Sequence, residues 1–436
     1  MNLDFSNLKR KEINYSGIMS FFRSQEPMKV IACDIKLRDN VDSNVLQQAV
    51  DRTLERMPYM GDTFVEENGL FYYAENPLPM VVRETDVYPH VGGSETNYHM
   101  LDVICHDNVI SISMFHSFCD GVGFGKFIET VLYYYFCVKD GVDYEPNGTV
   151  THHTVMTEAE TFEPYGATYS YDPAALSEVP RPGESFVLPE ITGTGGDFYK
   201  SMKAVIPEKN FVDYAKSLGS SPSVVLAMMI GEAIEIVHPD HEKPIVGFLP
   251  ASTRLGLGCP ETFKNTIGYM ALTLNSPELD KLSFGERAAN IRKIQKLQMQ
   301  PDVVRAQTNY TIDACHKIEK IPGGYWDKLK AMMGFRASNT SMGSFMFDYV
   351  NILNSHTYYE NIVDLEVVAE PVGLSVTAYG LDGMIHLYFL FKDDMSCYGR
   401  AMNEVFKKHG FDSKFSEPVE RQSPPSTGWR EILNDN

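Results

Sequence analysis

Basic residues are scarce in this chain: Lys and Arg number 38 against 58 Asp and Glu, a formal charge of -20. That balance argues against a nucleic acid or an anionic membrane as partner, while leaving room for a local basic pocket around a small anion. Long apolar runs are also missing. The longest, Val224–Ile230, is too short to span a bilayer, so no membrane span is expected. The opening Met-Asn-Leu-Asp-Phe-Ser has no apolar core of the signal-peptide kind, and a cytoplasmic location is expected. Cysteines are few and unpaired in spacing: Cys33, Cys105, Cys119, Cys137, Cys259, Cys315 and Cys397, an odd number without any C-x-x-C. They read as reduced, mostly buried thiols rather than as a disulfide framework or a zinc site. Internal repeats and low-complexity tracts are absent as well, which excludes a solenoid.

What is present is 436 residues, too many for one compact core and enough for two domains, or three. In the first half, strand patterns at 29–37, 63–66, 70–74, 99–105 and 109–115 surround an amphipathic helix over 43–57. Asp42 caps that helix and Pro58 ends it. Asn68-Gly69 marks a hairpin turn. The strand at 109–115 alternates, with Ile110, Ile112 and Met114 on one face and Ser111 and Ser113 on the other. A helix over 122–138 follows. Proline and glycine then thicken, and we read residues 1–175 as an N-terminal lobe, 176–197 as a linker and 198–436 as a C-terminal lobe. The second lobe carries strand patterns at 199–206, 244–250, 266–274, 343–350, 364–368, 374–379 and 385–391. Helices at 208–217, 221–237, 283–300 and 396–409 accompany them. Helices and sheets mix in both halves, which indicates α/β layering.

Chemistry concentrates in Ser111-Ile-Ser-Met-Phe-His116-Ser-Phe-Cys-Asp120-Gly121-Val-Gly-Phe-Gly125. A strand delivers a histidine, a short polar loop follows, and a helix begins. An imidazole at a strand end can project into a cleft and accept a proton from a hydroxyl, amine or thiol near neutral pH. Asp120 has three readings: it orients His116, it pairs with an arginine to hold the loop, or it caps the helix. Gly121 permits a turn that a side chain would resist.

This segment resembles the His-x-x-x-Asp-Gly active-site motif of the CoA-dependent acyltransferase superfamily. Members include chloramphenicol acetyltransferase, plant BAHD enzymes, alcohol acetyltransferases and the condensation domains of non-ribosomal peptide synthesis. Leu46-Gln-Gln-Ala-Val-Asp-Arg-Thr-Leu-Glu-Arg-Met-Pro58 and Asp62–Gly69 are similar to the opening helix and strand of condensation-like members. Pro250-Ala-Ser-Thr-Arg254 with Asn265-Thr-Ile-Gly268 resembles a second-half segment supplying an arginine and an Asn-x-x-Gly turn. Asp348–Asn351 and Leu374–Phe391 resemble later strands. The motif lies in the first third of the chain with a second lobe after it, which fits the two-lobed members rather than the trimeric ones. The resemblance therefore implies a two-lobed chloramphenicol-acetyltransferase-like α/β sandwich, each lobe a mixed β-sheet flanked by helices. It implies His116 as general base, Asp120 as its structural aspartate with Arg254 as salt-bridge partner, and Gly121 as a backbone donor near the oxyanion. It further implies acyl transfer from an acyl-CoA or phosphopantetheine (carrier-protein) thioester to a hydroxyl or amine of a small-molecule acceptor. No permanently bound cofactor or metal is expected, and a monomer is expected.

Two departures matter. Condensation domains carry paired histidines, whereas Phe115 stands at the first position here. The Asp-Phe-Gly-Trp-Gly segment of the plant enzymes is missing. Both favour a free-standing acyltransferase over a free-standing condensation-type domain using carrier-bound substrates, and the intact His116, Asp120 and Gly121 disfavour a third reading, a catalytically silent binding or scaffold protein. Other features read blandly. Gly121-x-Gly-x-Gly125 mimics a dinucleotide fingerprint, but Asp140 and Asp143 lie in no buried strand. Cys119 is taken as packing, Tyr133–Phe136 and Met228-Met229 as core, and His152-His153 as a solvated loop without clustered partners. Ser375, Tyr379 and Asn351 are assigned to the substrate channel.

Overall fold

A computed structural model describes residues 8–12, 30–67, 70–180, 182–189, 198–323, 327–328, 330–331, 343–350, 356–369, 371, 373–392 and 395–425. Its strands in chain order are β1 (Arg10–Glu12), β2 (Val30–Leu37), β3 (Thr63–Glu67), β4 (Leu70–Ala74), β5 (Arg83–Glu84), β6 (Leu101–His106), β7 (Val109–Phe115), β8 (Phe198–Pro207), β9 (Val246–Ser252), β10 (Ile267–Thr273), β11 (Phe345–Tyr349), β12 (Ile362–Val368), β13 (Ser375–Leu381), β14 (Met384–Phe391), β15 (Lys414–Phe415) and β16 (Val419–Gln422). The longer helices are α1 (Ser43–Arg56), α2 (Gly121–Asp140), α3 (Glu208–Ser217), α4 (Pro222–Val237), α5 (Phe284–Gln298), α6 (Pro301–Glu319) and α7 (Ser396–Lys408). None of the single helices described is long and apolar enough to cross a membrane.

Local chemistry explains the first lobe. Asp42 accepts the N–H groups of Asn44 and Val45 at 2.9 and 3.1 Å, satisfying donors that the first turn of α1 cannot. Leu46, Ala49 and Val50 then fall on one face and are fully buried. Helix α2 is apolar nearly all round and buried from Phe127 to Cys137, because it packs on α1 and shares one core with the sheet. Gly141, at φ 66°, ends it in the left-handed conformation that costs glycine least. The five-stranded mixed sheet runs β12-β2-β7-β6-β5, and Ile35, Ile110, Ile112, Met114 and Leu365 press its inner face onto these helices. A small sheet, β1-β4-β3, adjoins it; its Asn68-Gly69 turn lies outside the described residues.

The second lobe is a larger mixed sheet, β10-β9-β11-β13-β14-β8-β15, with β16 also on β8. Val376, Ala378, Ile385, Leu387 and Phe389 face a core built with α4 and α7. The opposite parity, Tyr379, Tyr388 and Leu390, joins the core of the first lobe together with Tyr199. The two lobes therefore meet sheet face against sheet face, which fits the expected sandwich of two helix-flanked mixed sheets.

Three expectations need correction. The strand at 364–368 was placed with the C-terminal lobe, yet β12 pairs antiparallel with β2 in the first sheet, Glu366 opposite Asp34 and Leu365 opposite Ile35. Leu365 is fully buried there, so the apolar alternation of β12 is completed by the first core. The linker 176–197 is partly docked: Leu188 is buried in the second core and the Phe186 N–H bonds the Pro244 carbonyl at 2.8 Å. Finally, α6 was not anticipated. Its burial is split between Val303 and Val304 at the start and Ile312, Cys315 and Ile318 at the end, which blurs a single stripe.

The polar face of the first sheet is also buried. Ser111 and Ser113 are 2% and 1% exposed because this face meets the second lobe. Burial raises the carboxyls of Asp34 and Glu366, against opposing hydrogen bonds from Ser111 and Tyr88 and the charge of Arg421. Asp102 is pushed up to about 6 by burial, with Arg83 pulling the other way. A carboxyl raised in the fold holds its proton where the unfolded chain has lost it. Its contribution is fully present below the unfolded value near ~3.9 and lost as pH rises toward 6. We expect Asp102→Asn to flatten the fall of unfolding free energy between pH 4 and 6, by up to about 3 kcal/mol across that window. Denaturant titrations of both proteins at each pH check this; unchanged slopes would refute it.

Candidate active site

The site begins where β7 stops. Phe115 is the last strand residue, His116–Phe118 form a turn, and Asp120 caps α2. Phe118 is fully buried, with its ring 5.4 Å from Tyr73 and 5.7 Å from Phe263, so the turn is pinned by aromatic packing on its inner side. The Tyr73 hydroxyl donates to the Ser117 carbonyl at 3.3 Å. His116, between these anchored residues, is only partly buried.

Asp120 is 0% exposed and fully engaged. Its Oδ1 accepts the Val122 and Gly123 N–H groups, each at 3.1 Å, and Arg254 Nη2 at 2.7 Å. Its Oδ2 accepts Arg254 Nη1 at 2.7 Å, the Thr266 N–H at 2.9 Å and the Thr266 hydroxyl at 3.2 Å. A carboxylate offers about four acceptor sites, so six donors leave nothing for the imidazole. Two of the three readings of Asp120 thus hold together: it caps α2 and it pairs with Arg254.

Arg254 is equally enclosed, at 4% exposure. Nε donates to the Thr262 carbonyl at 2.8 Å, Nη2 to the Lys264 carbonyl at 2.8 Å, and Nη1 to the Thr266 and Ser252 hydroxyls at 2.8 and 3.1 Å. The planar fork suits this two-pronged contact, which a lysine could not reproduce. The 259–266 loop therefore folds around the guanidinium. It is tied back to the first lobe by the Phe263 N–H on the Glu160 carbonyl at 2.9 Å, and Glu160 in turn holds Arg56 and Tyr59. Asn265 reaches the His116 carbonyl with Nδ2 at 3.5 Å while its Oδ1 accepts the Ile267 N–H.

Two glycines behave differently from expectation. Gly121 has no positive φ, and a Cβ there would meet none of the described residues within 4 Å, so nothing described demands glycine in the turn. What it provides is open space at the start of α2, and its N–H is not taken by the Asp120 cap. Gly123 is the confined one: a Cβ would lie 2.0 Å from the Phe263 carbonyl oxygen. Gly268, expected in a turn, lies within β10 opposite Ala251, where Thr253 presses within 2.6 Å of a would-be Cβ.

His116, Asp120, Gly121 and Arg254 are thus brought together. Tyr379 is not with them. Its hydroxyl donates to Asp364 at 2.8 Å in a separate interlobe cluster, where Tyr388 and Lys203 hold the same carboxylate at 2.9 and 2.6 Å. Ser375 lies on the same face of β13, opposite Leu390, and Asn351 lies outside the described residues. Burial pushes the Cys119 thiol well up, with the charge of Asp120 adding to the effect, and the sulfur sits 2.9 Å from that of Met114. That is packing, as expected. The glycine fingerprint fails too, since both neighbours of β7 are antiparallel. His152 and His153 do have a clustered partner, Asp143, which the loop brings back beside them. Thr266, Thr262 and Ser252 were missed as supports, although Ser252 and Thr266 lie in the segments that carried the resemblance. Lys264 was missed as well. It is buried with Nζ 3.7 Å from the Tyr73 ring centre and 4.7 Å from that of Phe263.

Neither the family models nor the curated proteins contain a match to this chain. Solved structures do share its fold. The epimerization domain from the third module of tyrocidine synthetase B superposes with a TM-score of 0.61 at 12% identity, covering 94% of this chain and 97% of that one. The first condensation domain of the CDA synthetase gives 0.58 at 12% identity, covering 91% and 95%. TRI101 from F. graminearum, complexed with ethyl coenzyme A, gives 0.58 at 11% identity, covering 93% and 99%. The fold is the one that these epimerization-domain, condensation-domain and TRI101 structures have in common.

The geometry separates the two glycines experimentally. Gly123→Ala should destabilise by about 1–3 kcal/mol or more, because backbone must move to admit the methyl. Gly121→Ala should stay within about 0.5 kcal/mol of wild type. Thermal unfolding compares them, and equal effects would contradict the arrangement. Tyr379→Phe should likewise cost about 1 kcal/mol of stability through the lost Asp364 bond, read from the same melts.

Proposed function

We propose that the protein transfers an acyl group from a CoA or carrier-protein thioester to the hydroxyl or amine of a small acceptor, with His116 as general base. The observation that carries the reading is the placement of a partly exposed His116 on a turn that Asp120, Arg254 and Asn265 hold, beside the open side of Gly121. The likeness to TRI101 bound to ethyl coenzyme A supports the thioester donor.

In this mechanism His116 removes the acceptor's proton as its oxygen or nitrogen attacks the thioester carbonyl. The new bond forms, the carbonyl becomes an oxyanion, and the Gly121 N–H stabilises that charge, an interaction worth ~3 kcal/mol when such a donor is lost elsewhere. The tetrahedral centre then collapses, the C–S bond breaks, and the imidazolium returns its proton to the thiolate. No acyl-enzyme forms. Asp120 contributes through the loop and the helix start, since its oxygens are already occupied. A condensation-type reaction on carrier-bound substrates is the second reading, supported by the likeness to the CDA condensation domain. The net charge of -20 weighs against docking an acidic carrier.

The test is thiol release from a panel of acyl-CoAs with pooled alcohols and amines. Acceptor-dependent release should fall ~10²–10⁴-fold in His116→Ala. Release that survives the substitution refutes the mechanism, and release seen only with carrier-loaded donors favours the second reading. Arg254→Met should abolish activity indirectly and cost about 3–5 kcal/mol in unfolding, since Asp120 would be left buried without its cation.

A further inference from the structure

Beyond the far end of α2, the chain passes Gly141, turns, and comes back along the helix. This brings His152 and His153 to Asp143. The Asp143 Oδ2 lies 3.5 Å from His153 Nε2 and 3.9 Å from His152 Nε2, and one ligand atom from each residue falls within 4.8 Å of the others. We propose that Asp143, His152 and His153 form a binding site for zinc(II) or a transition-metal ion of like preference.

The spacing is that of a site needing little closure. Bonds of ~2.0–2.1 Å at tetrahedral angles place ligand atoms about 3.3 Å apart, close to the 3.5 and 3.9 Å that separate Asp143 from the two imidazoles. Neighbours set the orientation of Asp143 and His152, and the His153 ring lies 4.0 Å from that of His152. The Tyr133 hydroxyl, whose proton is shared between Asp143 Oδ1 at 2.9 Å and the Tyr144 carbonyl at 2.7 Å, meets the carboxylate on the oxygen other than the Oδ2 that faces the imidazoles. That bond also keeps the carboxyl below its ordinary range, in the ionised form a metal requires. The Tyr134 hydroxyl lies 3.4 Å from His152 Nδ1 and accepts the His152 N–H at 2.8 Å, and its ring stacks on the imidazole at 5.9 Å. Nε2 of His152 is thereby the nitrogen presented to Asp143. Such outer partners orient histidine and carboxylate ligands in metal sites generally.

The donor set chooses the ion. Two imidazoles and one carboxylate oxygen suit zinc(II), copper(II) or nickel(II), whereas calcium and magnesium require mostly oxygen. All three residues are exposed, so water can complete the coordination. The ion would close the 142–154 loop on itself, and the Tyr133 and Tyr134 hydroxyls join that loop to α2, the helix whose other end carries Asp120. Thr151 and Thr154 of that loop bind Arg56, and Arg56 is paired with Glu160, so the closed segment is continuous with the support of the 259–266 loop.

Calorimetric titration of the full, tag-free chain with zinc chloride at pH 7.5 tests this. One ion should bind per chain. Affinity should fall at least tenfold in Asp143→Asn and in the His152→Ala/His153→Ala double variant, both of which should retain the wild-type circular dichroism because the replaced side chains are exposed. Cobalt(II) should give the visible bands of a low-coordinate N/O site, absent from the double variant. Zinc binding that persists in the double variant, or a wild type that takes up no more zinc than that variant, would overturn the proposal. So would calcium competing as effectively as cobalt. Acyl-transfer activity enters none of these readouts, so the outcome is independent of the function proposed above.

Discussion

The ion pair between Asp120 and Arg254 joins residues 134 apart in sequence, and the arrangement of the site depends on it. Removing both charges from water costs several kcal/mol per ion, which their attraction offsets only when the remaining donors and acceptors are also satisfied. That condition is met on both sides. The guanidinium donates to carboxylate, hydroxyls and carbonyls, and the carboxylate accepts from guanidinium, helix N-terminus and Thr266. Removing either partner would leave the other buried and charged, so the pair acts as a geometric constraint more than as a source of net stability. It sets the start of α2 against the 259–266 loop, and through that contact the turn bearing His116.

The interface of the two lobes uses the same physics less completely. Asp34 and Glu366 stand directly opposite one another on β2 and β12, with Arg421 donating to Glu366 at 2.7 Å. Asp364, one pleat along, is better supplied, with Lys203, Tyr379 and Tyr388 around it. Burial would raise its carboxyl, but these partners hold it below the usual range. The contrast has a consequence for pH. Carboxyls such as Asp364 contribute stability that is lost as pH falls, and those such as Asp34 and Glu366 contribute stability that is lost as pH rises. The two kinds are fully present together only near the unfolded carboxylate range, about pH 4, so such a seam contributes a stability maximum there rather than a monotonic trend.

Much of this was legible in the sequence because short-range signals and burial agree. Asp42 and Asp120 stand at helix starts, the 109–115 strand alternates cleanly, and the apolar run at 224–230 became the buried centre of α4. His116, Asp120, Gly121 and Arg254 were legible together only through the resemblance, since nothing local connects residue 120 with residue 254. Other features were illegible for identifiable reasons. Ser111 and Ser113 form a polar face, and alternation alone does not say whether water or a second sheet covers it. β12 has strand propensity in either sheet, and its partner is decided by where Leu365 finds a core. The confinement at Gly123 comes from a carbonyl 140 residues away, so its glycine looked no different from the unconfined Gly121. Tyr379 was assigned to a channel by type and face, whereas its hydroxyl is consumed by Asp364.

These particulars divide the region around His116 into two sides with different physical demands. On the inner side, Phe118, Gly123, Phe263 and the Arg254 fork are in close contact, and a single added methyl at Gly123 collides with backbone. On the outer side, Gly121 leaves room for a side chain that is not there. The proposed role of His116 would benefit from this asymmetry: His116 and the helix start are held from behind, and among the described residues nothing fills the space beside Gly121. Rigidity on the inner side is compatible with the proposed reaction because a preorganised donor and base would not need to move when charge develops. In the proposed reaction, acyl length and acceptor shape would be set by walls outside this support, on strands that the Asp120–Arg254 pair does not hold. Changes in those walls can alter the substrate without disturbing the fold of the site itself.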